Sequence, residues 1–161
     1  MAIIVVRNNI KKLFRTSIKM NSHSVFAGVP QGKAERQDGE VINNATLAYM
    51  NDNGSPANNI PARPFMRPGI EAVQPQITEE LKRAAKMALD SKELSEIVRV
   101  MHRVGLTCQS SIRELVNDGI EPALSPRTIA ARIKKGVTTT KPLVVTGSLR
   151  NSITYVVKGE S

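Results

Sequence analysis

The sequence is poor in the residues that disulfide-bonded and metal-binding proteins depend on. Its 161 residues include one cysteine, Cys108, and two histidines, His23 and His102. A single cysteine cannot form an intramolecular disulfide, so the composition does not indicate an oxidising compartment. His102 and Cys108 fall on different faces of a helix, which argues against a shared zinc ion. The sequence therefore predicts no metal and no cofactor.

Aromatic residues and long apolar runs are also scarce. The chain has three Phe, two Tyr and no Trp, so the core must consist mainly of aliphatic side chains, and we expect neighbouring subunits to add stability. No apolar run approaches the roughly 20 residues that cross a bilayer, and the apolar start at 2–6 is too short for a signal peptide. We predict one domain over 1–161, made in the cytoplasm and without a membrane partner.

Motifs that support catalysis are absent as well. The sequence contains no glycine-rich phosphate loop, no His-Glu-x-x-His and no Gly-x-Ser-x-Gly. Cys108 lies on the apolar stripe of a predicted helix, so we expect a buried and unreactive thiol. His102 lies off that stripe and is expected on the helix surface. These features predict a protein that is not an enzyme.

Positive charge is abundant and lies towards the two ends of the chain. The formal net charge is +9. Residues 1–36 and residues 126–161 each carry seven basic side chains and one acidic side chain. A positive field of this kind attracts DNA or an acidic protein surface, although most individual Lys and Arg are expected to serve solubility only.

The hydrophobic pattern predicts an α+β fold: a small antiparallel sheet with two or three helices packed on one face and extended docking loops. One strand is expected near each end of the chain, at 24–29 and 153–157. The longest predicted helix begins at a capping box formed by Asp90 and Glu93 and ends at Gly119. The other predicted helices span 5–20 (amphipathic), 41–50 (with a strand as the alternative), 76–89 and 126–136. Residues 30–40 are predicted to form an exposed loop.

A proline-rich loop over 51–69 is the first candidate for docking a partner. A backbone stiffened by proline loses little entropy on binding, and Arg beside an aromatic side chain is the usual composition of an interface anchor. The alternative is that Phe65 simply pins the loop onto the subunit's own core. The candidate docking residues in this loop are Gly54, Ser55, Pro56, Pro61, Arg63, Pro64, Phe65, Arg67 and Pro68.

A second candidate docking segment spans 141–153. Thr146 can cap a short turn, Gly147 permits an unusual backbone angle, and Leu149 lies four positions before Ile153. The alternative is a capped turn that leads into an edge strand. The candidate docking residues here are Thr146, Gly147, Leu149 and Arg150.

Three motifs follow one another in a fixed order along the chain. They are Gly54–Gly69, which contains Ile-Pro-Ala-Arg-Pro-Phe-Met-Arg-Pro-Gly; Ser125–Arg132, which reads Ser-Pro-Arg-Thr-Ile-Ala-Ala-Arg; and Pro142–Tyr155, which contains Thr-Gly-Ser-Leu-Arg-Asn-Ser-Ile-Thr-Tyr. In this order they resemble the tail-completion and virion-morphogenesis proteins of long-tailed and Mu-like bacteriophages, and the resemblance covers about residues 45–157. The sequence departs from the family pattern before Gly54, where it reads Asp52-Asn53, and at Val145, where an Asp is common.

The resemblance implies a structural protein of the virion at the head–tail junction. It would complete the tail end or neck for head–tail joining, as one subunit of a homo-oligomeric ring of six copies. Its partners would be the neighbouring connector or neck proteins and the tail-tube or tail-terminator proteins, with non-specific DNA in the lumen. Lys134 and Lys135 are candidates for contact with the DNA channel. The alternative function is a sequence-independent DNA-binding protein that acts outside the virion.

Overall fold

The computed structural model describes residues 13–18, 21–30, 42–90 and 95–159. Most of the predicted loop at 30–40, both ends of the predicted helix at 5–20 and Glu93 of the predicted capping box therefore lie outside the described residues. Among those that are described, no helix is both long enough and apolar enough to span a bilayer.

The fold is α+β, as predicted. Strands β1 (His23–Gly28) and β2 (Thr154–Gly159) form a two-stranded antiparallel sheet in which Val25 lies opposite Val157. Besides the helical residues 13–18, the helices are α1 (Asn44–Asn53), α2 (Met66–Ala72), α3 (Gln74–Asp90), α4 (Ser95–Asp118), α5 (Pro126–Lys134) and α6 (Ser148–Ser152), and a 3-10 turn spans Pro56–Asn58. The sheet thus joins strands from opposite ends of the described chain, which is what the sequence predicted.

Helix α4 organises the core. Its apolar residues recur at the helical period and are buried, among them Ile97, Val104 and Ile112. The helix contacts both strands as well as α2 and α3, and three hydrophobic clusters lie along it. It ends before Gly119, whose φ of 102° confirms the predicted glycine at the helix end.

Two glycines allow close packing at α4: Gly69 of α2 lies against α4, and Gly105 of α4 lies against β2. A Cβ at Gly69 in α2 would lie 2.9 Å from the Cα of Ile112. A Cβ at Gly105 would overlap the ring of Tyr155 in β2. These contacts bring α2 and the sheet onto α4 at distances that a larger residue would prevent.

The boundaries of the predicted loop at 51–69 are wrong at both ends. Residues 51–53 belong to α1, and residues 66–69 belong to α2. Pro68 is the third residue of α2, within the first turn, where the backbone N–H that proline lacks has no partner inside the helix. The prolines therefore exclude helix only over the middle of the segment.

Helix α1 confirms the helical prediction for 41–50, in which Ile42, Ala45 and Tyr49 share one face, but this face is not the buried one. Tyr49 and Ile42 are exposed, whereas Asn44, Ala48 and Asn51 are buried. The two buried amides have partners: Asn44 bonds to Ser148, and the Nδ2 of Asn51 donates to the carbonyl of Leu47. Because these polar groups are satisfied, they can occupy the buried face.

The predicted N-terminal helix is confirmed over residues 13–18, with an unexpected orientation. Leu13, Phe14 and Ile18, which form its apolar side, are all more than half exposed. Thr16, on another side, is buried. The apolar side of this helix is therefore open on the single chain.

Cys108 is buried on α4, as predicted, and burial raises the pKa of its thiol. The thiolate is the reactive form, so we expect the native protein to react with a disulfide reagent more than about tenfold more slowly than a free thiol such as N-acetylcysteine. Unfolding in urea should restore the rate. Absorbance of the released thiolate measures both rates; rapid reaction of the native chain would contradict the burial.

Candidate partner-binding cleft

The proline-rich loop is held in shape by its own backbone. Ser55 and Ile60 exchange two backbone hydrogen bonds, of 2.8 and 3.0 Å, around the 3-10 turn. Asn59 adopts a left-handed conformation with φ of 52°, and Gly54 has φ of 79°. The N–H of Arg63 donates to the carbonyl of Asn51 at 2.7 Å and closes the loop at its base. The stiffness predicted from the prolines is thus reinforced by hydrogen bonds.

Asp52 fixes the point where the loop enters α2. Its Oδ1 accepts hydrogen bonds from the backbone N–H groups of Phe65 and Met66, at 2.8 and 3.0 Å. A carboxylate at the first turn satisfies N–H groups that have no partner inside the helix and interacts favourably with the helix dipole. No local signal in the sequence predicts this capping role of Asp52, because the role depends on a contact with a residue thirteen positions along the chain.

Two predicted docking residues of this loop are buried within the subunit. Phe65 has an exposed fraction of 0% and packs in the cluster with Ala48, Ile112 and Ile153. Arg63 is 6% exposed, and its Nε and Nη2 donate to the carbonyls of Pro122 and Ala123 at 2.7 and 3.2 Å. The prediction of Phe65 as an interface anchor is therefore corrected: Phe65 pins the loop onto the subunit's own core.

The second segment contains the capped turn that the sequence suggested. Gly147 has φ of 75° and precedes α6, and the hydroxyl of Thr146 accepts from the N–H of Ser148 at 3.2 Å. The side chains of Ser148 and Asn44 bond to each other and connect α6 to α1. Leu149 is buried in the core, so its prediction as a docking contact is also corrected.

Arg132 ties α5 to the loop that follows it. Ser125 caps α5 by accepting from the N–H of Thr128, which confirms the predicted helix start. Nη1 of Arg132 donates to the carbonyls of Thr139 and Lys141, at 3.2 and 2.9 Å. Burial lowers the pKa of Arg132, and the positive charge of Arg63 lowers it further. The two guanidinium groups therefore repel each other.

Both docking segments and the end of α5 meet around one cleft of about 280 Å³. Arg63 contributes from the proline-rich loop, Arg132 from α5, and residues 142–143 and 145–149 from the second segment. Residues of α1 and Leu124 complete the lining. Each of the three sequence motifs thus supplies part of a single concave surface. We call this surface the arginine cleft.

The remaining candidates lie outside the core. Those that are exposed are Pro56, Pro61, Pro64, Arg67, Thr146, Lys134 and Lys135, and those of intermediate exposure are Gly54, Ser55, Pro68, Gly147 and Arg150. Arg67 bonds to Glu71 at 2.7 Å, and this hydrogen bond, with the attraction of the carboxylate, raises the pKa of Arg67. Arg67 is therefore the charged residue of the first loop whose side chain lies exposed on the surface.

Sequence reasoning missed Asn44 and Arg132 as residues of the site. Arg132 stood in the second motif, at the end of Ser-Pro-x-Thr-Ile-x-x-Arg, and that position was the available signal. Asn44 gave no signal, because its importance depends on Ser148, 104 residues away.

Comparison of the chain with protein-family models, with curated proteins and with solved structures found no match. Within the described part of the chain, no group of three or more His, Cys, Asp or Glu side chains is arranged to hold a metal ion.

Proposed function

We propose that the chain is a structural subunit of the head–tail junction of a long-tailed bacteriophage. In this role it completes the tail end or neck as one member of a ring around the DNA channel, and it binds the adjacent connector and tail proteins. The observation that carries the proposal is the convergence of the three resembling motifs on the arginine cleft.

That convergence supports a shared role for motifs that are far apart in the sequence. Arg63 and Arg132 are separated by 69 positions, and residues 142–143 and 145–149 follow later still, yet all of them line the same surface. Motifs with unrelated local roles would have no reason to line the same surface. The braced loop at 54–63 also stands beside the cleft with little conformational freedom to lose, which favours docking.

The exposure of aromatic side chains gives independent support for assembly. Phe14, Phe26 and Tyr49, three of the five aromatic residues, are 64%, 55% and 69% exposed. Aromatic residues are enriched in the buried centres of protein interfaces. A chain with so few aromatics that leaves most of them open is expected to cover them with neighbouring subunits.

The DNA channel is assigned to the basic end of α5. Lys134 and Lys135 are exposed there, and exposed lysines suit loose, sequence-independent contact with phosphates. The same residues would serve a DNA-binding protein acting outside the virion, which is the second candidate function. The two functions differ in the expected location of the protein, because only the first requires it in finished particles.

Deleting the gene from the encoding phage genome is expected to yield filled heads and separate tails that do not join. Electron microscopy of the lysate detects both products, and the wild-type gene supplied on a plasmid should restore whole particles. The matched control is the same plasmid without the gene, which should not restore them. Mass spectrometry of purified wild-type virions should detect the chain.

Normal virions from the deletion, or the absence of the chain from purified particles, would contradict the proposed function. Tight, salt-sensitive binding of free DNA duplex by the purified chain, combined with its absence from particles, would support the second candidate instead.

A further inference from the structure

We infer that the arginine cleft binds a carboxylate group of a neighbouring protein chain, held between Arg63 and Arg132. The inference rests on the proposed function in one respect: it names the partner chemistry of the surface assigned there to docking. It predicts an acidic side chain with aliphatic neighbours as the group that enters the cleft.

Arg63 lines the cleft and has hydrogen-bond donors that the described residues of its own subunit do not use. A guanidinium has five N–H donors. Nε and Nη2 of Arg63 each donate once, to the carbonyls of Pro122 and Ala123, which leaves three N–H groups without an acceptor among the described residues. These two bonds also fix the orientation of the group, so little side-chain entropy would be lost when a ligand binds.

Arg132 is oriented in the same manner from the other side. Its Nη1 is occupied by the carbonyls of Thr139 and Lys141, so Nε and Nη2 remain for a ligand. Those two nitrogens form an edge of the guanidinium that matches the two oxygens of a carboxylate. Backbone carbonyls thus hold both arginines in place without neutralising either charge.

Among the described residues, the lining of the cleft includes two cationic side chains and no anionic one. The described residues form four ion pairs, Arg67–Glu71, Lys82–Glu79, Arg99–Glu96 and Arg103–Glu80, and neither Arg63 nor Arg132 takes part. No ion pair among the described residues therefore offsets the repulsion between the two arginines. An anion placed between them would remove that repulsion and gain charge-assisted hydrogen bonds.

The size and lining of the cleft favour a protein carboxylate over a DNA phosphate. A volume of about 280 Å³ accommodates a side chain and its immediate neighbours. Leu47, Leu124 and Leu143 supply apolar walls that suit aliphatic groups beside the carboxylate. A duplex presents its phosphates on a convex, polar surface to exposed basic side chains, and Arg63 is too deeply buried to meet them.

The inference can be tested on the purified chain by NMR of the arginine Nε–Hε groups. The probes are the acidic peptide acetyl-Leu-Glu-Leu-Asp-Leu-amide, the neutral peptide in which Gln and Asn replace Glu and Asp, and a short DNA duplex. We expect the acidic peptide to shift the signals of Arg63 and Arg132, with a dissociation constant in the millimolar range or lower. The dissociation constant of the neutral peptide should be higher by a factor of about ten or more.

The variant Arg132→Gln is expected to weaken binding of the acidic peptide about tenfold or more. Arg127→Gln is the matched control, because it removes the same charge from an exposed position of α5 that does not line the cleft. Backbone amide spectra check that both variants are folded. If Arg132→Gln unfolds, the comparison of acidic and neutral peptides on the wild-type chain still decides.

The inference is overturned if the acidic peptide causes no shift, if both peptides bind equally, or if Arg127→Gln weakens binding as much as Arg132→Gln. Shifts of the Arg63 and Arg132 signals by the duplex but not by the acidic peptide would assign the cleft to DNA and would also overturn it. Absence of peptide binding would not change the expected deletion phenotype, and normal virions from the deletion would not change the expected peptide binding. The two proposals can therefore be contradicted independently.

Discussion

Replacing Phe65 by alanine is expected to lower the free energy of unfolding by about 3–5 kcal/mol, the usual cost of truncating a fully buried aromatic side chain. Phe65 is among the largest fully buried side chains and contacts residues of α1, α4 and α6 in one cluster. The truncation leaves a cavity that a core bounded by three helices cannot close. Urea denaturation followed by circular dichroism measures the loss.

Phe26→Ala is the control for Phe65→Ala. Phe26 is the same residue type but more than half exposed, with the ammonium group of Lys158 5.6 Å from its ring centroid. Its truncation should cost less than about 1 kcal/mol. The comparison must be made where the proteins have the same oligomeric state, because association adds to apparent stability. Equal effects of the two truncations would show that Phe65 does not anchor the core.

The second large effect is expected for Gly54→Ala, in the proline-rich loop. An alanine Cβ at this position would lie 2.8 Å from the backbone nitrogen of Ala62 and 3.2 Å from the carbonyl oxygen of Ile60. The positive φ adds strain of roughly 1–2 kcal/mol for any residue with a Cβ, and steric overlap with fixed backbone adds about 1–3 kcal/mol. Thermal and urea unfolding would report the sum.

Gly136→Ala separates these two costs. Gly136 has φ of 75°, close to the 79° of Gly54, but its Cβ would have no atom within 4 Å. It should therefore show the strain of the positive φ alone, and Gly54→Ala should exceed it by the steric cost of about 1–3 kcal/mol. If the two variants lose the same stability, the close approach of Gly54 and Ala62 is not a constraint on the fold.

The burial of Phe65 changes how the proline-rich loop should be probed for assembly. A failure of Phe65→Ala to assemble would follow from poor folding and would say nothing of the interface. Arg67 is the better probe, because its side chain is 86% exposed and Glu71, to which it bonds, is also exposed. An exposed ion pair of this kind contributes little to stability, so a loss of assembly in Arg67→Ala could be assigned to the interface.

Local backbone conformation could be read from the sequence wherever one strong signal governed it. The helical period of apolar residues predicted α3 and α4, Ser125-Pro126 predicted the start of α5, and the β-branched residues near Tyr155 predicted β2. These signals act over a few residues, since hydrogen bonds and side-chain contacts within a helix or turn link near neighbours. The α+β class followed because such elements have few ways to pack.

Only the tertiary structure decided which surfaces are covered. The sequence pattern predicted Phe65 and Leu149 as contacts for a partner, but both are buried in the core. The apolar side of residues 13–18, by contrast, is exposed. The arginine cleft could not be predicted either, because Arg63 and Arg132 come to line one surface only in the folded chain. Burial depends on contacts between residues that are remote in sequence. A local pattern of apolar residues does not specify which distant residues, or which other chain, will cover it.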